Sequence, residues 1–291
     1  MRSYLFILLC CFSGTLFGQT EADPASIQDF STEDVNFKSA GIILAGTIFK
    51  PKQQYASVVL VHGSGKETRM AGIASLLAGK GIMVFSYDKR GSGKSGGIYA
   101  GPEVGTNNID SANLKLLALD ASAASKTLLA HLPKDHGPLG LMGFSQAGWV
   151  IPLAAYSNPG VDFIVIFSGP VVSTLEQLRF QFYTQGNASF WDTHTEDEAR
   201  RHISSDPDRY QFAATDPRDA LARLSCPGLW LFGGKDIQVP VALSTERLNT
   251  LKAQGKPYMY RLFPDLGHNT AFAKSQEPVD AAILWIKALS M

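Results

Sequence analysis

The fold is decided by one stretch of the sequence, Leu139-Gly140-Leu141-Met142-Gly143-Phe144-Ser145-Gln146-Ala147-Gly148. Its first four residues form an apolar run typical of a buried strand, and a helical pattern continues from Gln146 to Ala155. The small residues between them allow a strand and a helix to approach closely through a sharp turn. We expect this turn to present the Ser145 hydroxyl above the edge of a sheet.

Strand and helix patterns alternate along the rest of the chain. Apolar runs predict strands at Val35–Phe37, Gly41–Phe49, Ser57–Val61, Gly81–Ser86, Leu139–Met142, Phe163–Phe167, Leu229–Phe232 and Tyr258–Leu262. Helical patterns cover Met70–Ala78, Ser111–His131, Gln146–Ala155, Val241–Ala253 and Pro278–Ser290, and Gly79 suits a helix C-cap. This alternation predicts an α/β fold, with a mostly parallel sheet of about eight strands flanked by helices.

One segment interrupts the alternation. Residues 172–221 have no strand pattern and are rich in charged and aromatic residues, the latter including Phe180, Phe182, Tyr183, Phe190, Trp191 and Tyr210. Long insertions with their own structure are usually functional. We interpret the segment as a small helical cap or lid, with a surface excursion away from the substrate as the alternative.

A serine hydroxyl is a weak nucleophile, so Ser145 needs a base and an acid that orients the base. Asp236 follows the strand Leu229–Phe232, and His268 follows the last predicted strand. The order Ser, acid, His is typical of a nucleophile on such a turn. We therefore predict Ser145 as nucleophile, His268 as general base and Asp236 as acid; Asp265 and Asp88 are rival acids.

The residues His62-Gly63-Ser64-Gly65 follow the strand Ser57–Val61 and predict an oxyanion loop. The donors would be the backbone N–H groups of Gln146 and Ser64, with Gly65 as an alternative to Ser64.

A second glycine-rich segment resembles the end of a phosphate-binding loop. Residues 91–95 read Gly-Ser-Gly-Lys-Ser, but that motif requires a glycine where this chain has Asp88. We interpret residues 87–95 as a structured loop, in which Asp88 and Arg90 pair or bond the backbone.

The N-terminal residues 1–19 predict a signal peptide, because Arg2 precedes a short apolar run from Tyr4 to Phe12. A membrane anchor or a buried first helix is the alternative. Export to the periplasm or the exterior follows from this prediction, with one domain over residues 20–291. Cys226 is the only cysteine of that domain, so no internal disulfide is expected.

Composition excludes several classes of protein. The formal net charge is zero, which is unlike a nucleic-acid binder, and no later segment is apolar enough to span a membrane. No histidine or cysteine spacing suggests a metal site, and no cofactor is expected. Nothing in the sequence indicates an oligomeric state.

The motifs from Ser57 to His268 resemble bacterial α/β hydrolases, especially relatives of serine aminopeptidases and acyl-peptidase-like esterases. The resemblance rests on residues 62–65, 87–95, 143–149, 233–240 and 267–268, with a mild departure at Ala147, where glycine is commonest. It implies the α/β-hydrolase fold and a cofactor-independent esterase or peptidase. We expect a serine esterase acting on a small ester or short acyl or peptidyl substrate.

Two alternatives remain open at this point. An aminopeptidase or acyl-aminopeptidase would need a carboxylate that holds a free amine, for which Glu176, Glu196, Asp197 and Glu198 are candidates. A non-catalytic binding protein on the same fold is disfavoured, because all three candidate triad residues are present.

Overall fold

The structure, a computed structural model, describes residues 29–101, 108–207 and 213–291. Eight strands of this part of the chain form one sheet, in the order β1-β2-β4-β3-β5-β6-β7-β8. The strands are β1 (Phe30–Ser39), β2 (Ile42–Pro51), β3 (Ala56–Val61), β4 (Ile82–Tyr87), β5 (Leu139–Phe144), β6 (Phe163–Phe167), β7 (Gly228–Gly233) and β8 (Tyr258–Phe263). The strand β2 pairs antiparallel with both neighbours, and all other pairs are parallel. The predicted α/β-hydrolase fold class is confirmed.

Helices cover both faces of the sheet. The helices outside the segment between β6 and β7 are α1 (Ala71–Ala78), α2 (Ser111–Leu129), α3 (Ala147–Tyr156), α8 (Val241–Ala253) and α9 (Glu277–Leu289). Apolar residues of α2, α3 and α8 pack in the core on one face, and those of α1 and α9 pack on the other. Every residue of the strands β3, β5, β6 and β7 is buried, which explains their continuous apolar sequence.

Two local features differ from the sequence prediction. The strand β1 begins at Phe30 rather than near Val35, because its polar first half pairs through backbone atoms along β2 and leaves its side chains exposed. Gly79 does cap α1, but with a right-handed φ of −62°, so its left-handed freedom is not used.

The segment between β6 and β7 contains four helices in its described part: α4 (Thr174–Thr184), α5 (Phe190–Thr193), α6 (Glu196–Ser205) and α7 (Arg218–Leu221). The helices α4 and α6 both begin with capping boxes, at Ser173 and Thr195. We call residues 172–221 the cap; Tyr210 lies outside the described residues.

The predicted signal peptide, residues 1–19, lies outside the described residues. Among the helices that the structure describes, none has the length and apolar character needed to cross a bilayer.

Candidate active site

Ser145 lies in a strained turn between β5 and α3. Its φ of 51° is left-handed, a conformation that costs a non-glycine residue about 1–3 kcal/mol. Two hydrogen bonds hold it there: its N–H donates to Phe167 O at 2.9 Å, and its carbonyl accepts from the Gly148 N–H at 2.8 Å. A Cβ on Gly143 would lie 2.5 Å from the Ala147 Cβ, so the close strand–helix approach needs glycine there. The turn has the expected geometry.

The three predicted side chains form one hydrogen-bonded chain. His268 Nε2 lies 2.9 Å from Ser145 Oγ, and His268 Nδ1 lies 2.8 Å from Asp236 Oδ2. The other carboxylate oxygen, Asp236 Oδ1, accepts from the N–H groups of Gln238 and Val239 at 2.7 and 3.0 Å. The Asp236 side chain is fully buried and that of His268 is 10% exposed. The carboxylate is therefore fixed, and it fixes the imidazole in turn.

The two rival acids are engaged elsewhere. Asp265 is 92% exposed and lies 3.5 Å from the Lys235 ammonium. Asp88 accepts from the N–H groups of Arg69 and Lys94 at 3.0 and 2.9 Å, which orders the loop after β4.

Arg90 of the same loop pairs with Asp120 on α2, with Nε donating to Oδ2 at 2.9 Å. Residues 87–95 are therefore a structured loop, with Asp88 on the backbone and Arg90 paired to α2.

The oxyanion loop lies directly against the nucleophile turn, since a Cβ on Gly63 would be 3.8 Å from the Ser145 Cβ. The Glu67 carboxylate accepts from the Gly63 N–H at 3.0 Å and lies beside Gly65, where a Cβ would be 3.2 Å from Glu67 Oε1. Within the described residues, the N–H groups of Ser64 and Gln146 have no acceptor. These are the two predicted oxyanion donors, and the alternative donor, Gly65, is the next residue of the same loop.

The carbonyl oxygen of Ser64, in the same loop, also accepts hydrogen bonds. Ser64 O accepts from Tyr99 Oη at 2.8 Å and from Asn108 Nδ2 at 3.0 Å. Asn108 O in turn accepts from the side-chain amide of Gln146. The loop is thus tied to the segment before α2 and to the residue after the nucleophile.

Lys89 is a site residue that the sequence analysis missed. It is 3% exposed, and its Nζ donates to Gly63 O at 2.5 Å, Gly65 O at 3.2 Å and Gln146 Oε1 at 3.0 Å. Burial lowers the pKa of Lys89 to about 8, against the opposing charge of Glu67. The signal available in the sequence was a lysine two residues after the end of the buried strand β4.

The cap contacts the loop that carries the acid. Trp191 Nε1 donates to Asp236 O, and Thr184 Oγ1 donates to Ile237 O, both at 2.8 Å. Phe180 and Phe190 are fully buried in a small core of the cap itself. These two aromatic side chains therefore stabilise the cap itself.

The loop that carries the base is anchored by Thr270, whose Oγ1 lies 2.8 Å from Ser168 Oγ and donates to Leu231 O at 3.2 Å. Phe272 in the same loop is 60% exposed, and its ring centroid lies 5.0 Å from that of Phe144, the neighbour of Ser145. The loop that carries His268 therefore presents an exposed aromatic ring, packed on the residue that precedes the nucleophile.

Together these groups provide a serine hydroxyl bonded to an oriented imidazole beside two unoccupied N–H groups. This is the set of functions that acyl transfer requires. Among the described residues, no cluster of histidine, cysteine or carboxylate side chains is arranged to hold a metal ion.

Solved structures share this fold at low sequence identity. An esterase of Pyrococcus furiosus matches with a TM-score of 0.64 at 17% identity, over 90% of this chain and 92% of that one. An acylaminoacyl peptidase of Pyrococcus horikoshii also gives 0.64, at 18% identity, over 90% of this chain but 41% of that one. A putative dienelactone hydrolase of Klebsiella pneumoniae gives 0.61 at 15% identity, over 88% and 98% of the two chains.

No curated protein sequence matches this chain. Residues 52–219 match the model of a family described as "Serine aminopeptidase, S33", which covers more than half of the chain and confirms the resemblance seen in the motifs. The chain belongs to the serine aminopeptidase S33 family and is a serine hydrolase.

Proposed function

We propose that the protein hydrolyses carboxylic esters of small molecules through an acyl-enzyme on Ser145. His268 Nε2 takes the Ser145 proton as Oγ attacks the ester carbonyl, and Asp236 stabilises the imidazolium. The N–H groups of Ser64 and Gln146 stabilise the oxyanion. His268 then protonates the leaving alcohol, and water hydrolyses the acyl-enzyme by the same steps.

One observation carries this proposal: the unbroken chain from Ser145 Oγ through His268 to Asp236, at 2.9 and 2.8 Å. Both distances lie within the reach of proton transfer. The second carboxylate oxygen of Asp236, Oδ1, accepts from two backbone N–H groups of its own loop. The carboxylate is therefore used to orient His268 and to order that loop.

The contacts of the cap favour an ester over a peptide with a free amine. Glu176 is bonded to Arg247 at 3.1 Å and caps α4, and Glu198 caps α6 through Thr195. These two carboxylates are already hydrogen-bonded within the protein, and Asp197 is exposed at the start of α6. Glu196, the first residue of α6, is exposed as well.

The exposed Phe272 ring, in the loop that carries His268, supports an apolar acyl or alcohol group. The exposed face of Phe272, backed by Phe144, offers area that an alkyl chain covers with a gain of about 25 cal/mol per Å². Esters of medium-chain acids fit this surface better than acetate.

The test compares p-nitrophenyl acetate, butyrate and octanoate with aminoacyl-p-nitroanilides. We expect ester turnover by the wild type, none above background by Ser145→Ala, and full activity in Ser204→Ala, which removes an exposed hydroxyl on α6. Faster turnover of the anilides would support the aminopeptidase alternative, which the family description favours. Absence of turnover together with absence of fluorophosphonate labelling would refute the activated serine.

We also propose that the protein is exported, with residues 1–19 as a signal peptide, and the support is the charged start and short apolar run of that segment. Expression of the full chain in a bacterial host should yield a periplasmic or secreted product whose intact mass lacks the segment. A cytoplasmic product that retains Met1 or Arg2 would contradict this proposal.

A further inference from the structure

Lys89 is a buried cation whose contacts all lie on the two elements that carry the oxyanion donors. Its ammonium extends from the end of β4 to carbonyl oxygens of the loop after β3 and to the side chain of Gln146. Burial of a charged lysine is costly unless hydrogen bonds compensate for the lost water. The three acceptors around the Lys89 ammonium provide this compensation.

The contact with Gly63 O sets the direction of the Ser64 N–H. The carbonyl of Gly63 and the N–H of Ser64 belong to one planar trans peptide, and in such a unit the two groups point in opposite directions. A donor fixed on the carbonyl side therefore fixes the N–H on the other side, facing away from Lys89. The ammonium also polarises this peptide, which makes the Ser64 N–H a stronger donor.

The contact with Gln146 acts on the second donor. Gln146 Oε1 accepts from Lys89, while its amide nitrogen donates to Asn108 O. Both ends of the side chain are held, so the backbone of Gln146 cannot rotate without breaking them. The Lys89 ammonium thus contacts both peptide segments that carry the proposed oxyanion donors, the N–H groups of Ser64 and Gln146.

We propose that Lys89 is a positioning residue of the oxyanion hole, which aligns the Ser64 and Gln146 N–H groups and strengthens them as negative charge develops. This role rests on the proposed function, because it assumes that an acyl group reacts at Ser145.

The charged and titratable groups that face Lys89 give the pH dependence a defined sign. The negative charge of Glu67, in the segment after the oxyanion loop, acts on Lys89; the Tyr99 ring centroid is 5.6 Å from Nζ, and His62 follows β3. Burial and the charge of Lys89 lower the pKa of His62 to about 3, so this imidazole is neutral at working pH. Burial raises the pKa of Glu67 above its ordinary value, and the charge of Lys89 opposes that shift.

Deprotonation of Lys89 is expected to lower kcat at alkaline pH. With a lowered pKa of about 8, the ammonium is charged below that pH and neutral above it. We expect kcat to fall as pH rises through about 8, while KM stays nearly constant.

The experiment measures kcat, KM and the inhibition constant of a trifluoromethyl ketone for wild type, Lys89→Met, Lys89→Arg and Lys66→Met on p-nitrophenyl butyrate. Lys66 is an exposed lysine of the same loop, so its variant removes an equal charge without the contacts. Loss of an oxyanion donor lowers kcat about 10²–10³-fold, so we expect a loss of about 10²-fold in Lys89→Met with KM within about threefold. Affinity for the ketone should fall in parallel, and Lys89→Arg should recover part of the loss.

The pH profile separates this role from a purely structural one and does not depend on the folding of a variant. We expect an alkaline limb near pH 8 in the wild type, with native near-UV circular dichroism throughout, and no such limb in Lys89→Met. A folded Lys89→Met variant within threefold of the wild-type kcat would overturn the proposal, as would a flat wild-type profile up to pH 9.5. A wild type without turnover would instead refute the proposed function, and this role with it.

Discussion

Asp236→Asn is a nearly isosteric change whose effect follows from the hydrogen bonds around the carboxylate. Oδ1 accepts from the N–H groups of Gln238 and Val239, and Oδ2 faces His268 Nδ1. The asparagine amide has only one acceptor oxygen. With that oxygen toward the two backbone donors, its NH₂ group faces Nδ1, so His268 must carry its proton on Nε2 and cannot take one from Ser145.

The opposite orientation of the amide would restore the productive tautomer at a high cost. It turns the NH₂ group toward two buried N–H groups and leaves both unsatisfied, at about 1–3 kcal/mol each. At the lower bound, the two unsatisfied N–H groups together cost about 2 kcal/mol. Since about 1.36 kcal/mol corresponds to a tenfold change in population, about one molecule in 30 has the productive amide orientation. Loss of the charged partner of the imidazolium costs about a further 1.5–3 kcal/mol, or roughly 10–100-fold.

We therefore expect kcat on p-nitrophenyl butyrate to fall about 10³-fold in Asp236→Asn, near the ~10⁴ of the same change in serine protease triads. The thermal midpoint should stay within a few degrees of the wild type, because the two backbone bonds persist. Asp265→Asn, the same change at the exposed rival acid, should keep kcat within about twofold, as expected for a surface substitution. An Asp236→Asn variant within tenfold of the wild type would refute the tautomer argument.

Three further predictions concern the contacts around the triad. Trp191→Phe removes the hydrogen bond to the Asp236 carbonyl and should lower kcat by up to about tenfold, the equivalent of 0.5–1.5 kcal/mol. Tyr258→Phe removes a similar bond, to the carbonyl of Leu221 at the other end of the cap, and should not lower kcat; equal effects of the two changes would contradict a specific role for the bond to the acid loop. Thr270→Val removes two buried hydrogen bonds, so differential scanning fluorimetry should show a midpoint lowered by about 4–8 °C, and an unchanged midpoint would contradict the anchoring of that loop. Phe272→Ala should lower kcat/KM about tenfold more for octanoate than for acetate esters, if about 60 Å² of alkyl contact is lost at 25 cal/mol per Å²; an equal loss on both would place the acyl chain elsewhere.

The sequence predicted the parts of the fold that depend on local pattern. Continuous apolar runs identify strands buried on both faces, and the structure places a strand at each predicted run. The turn at Ser145 was predictable because the small residues Gly143 and Ala147 serve a local steric need. The polar first half of β1 was not, since its pairing uses backbone atoms that every residue has.

The contacts of Lys89 could not be predicted, because they depend on the order of strands in the sheet. Lys89 and Gln146 are 57 residues apart in the sequence. The sheet order β4-β3-β5 nevertheless places the ends of these three strands side by side. Motif analysis finds residues that act through a local turn, but it does not find a side chain that reaches across a neighbouring strand.

The same reasoning applies to the cap, which the sequence suggests is a lid. Its Trp191 and Thr184 donate hydrogen bonds to the carbonyls of Asp236 and Ile237, so this part of the cap is attached to the acid loop. A movement that lifted this part of the cap would break both bonds and release the backbone that holds Asp236. We therefore expect that displacement of α5 and the end of α4 would loosen the loop that carries Asp236 and lower kcat.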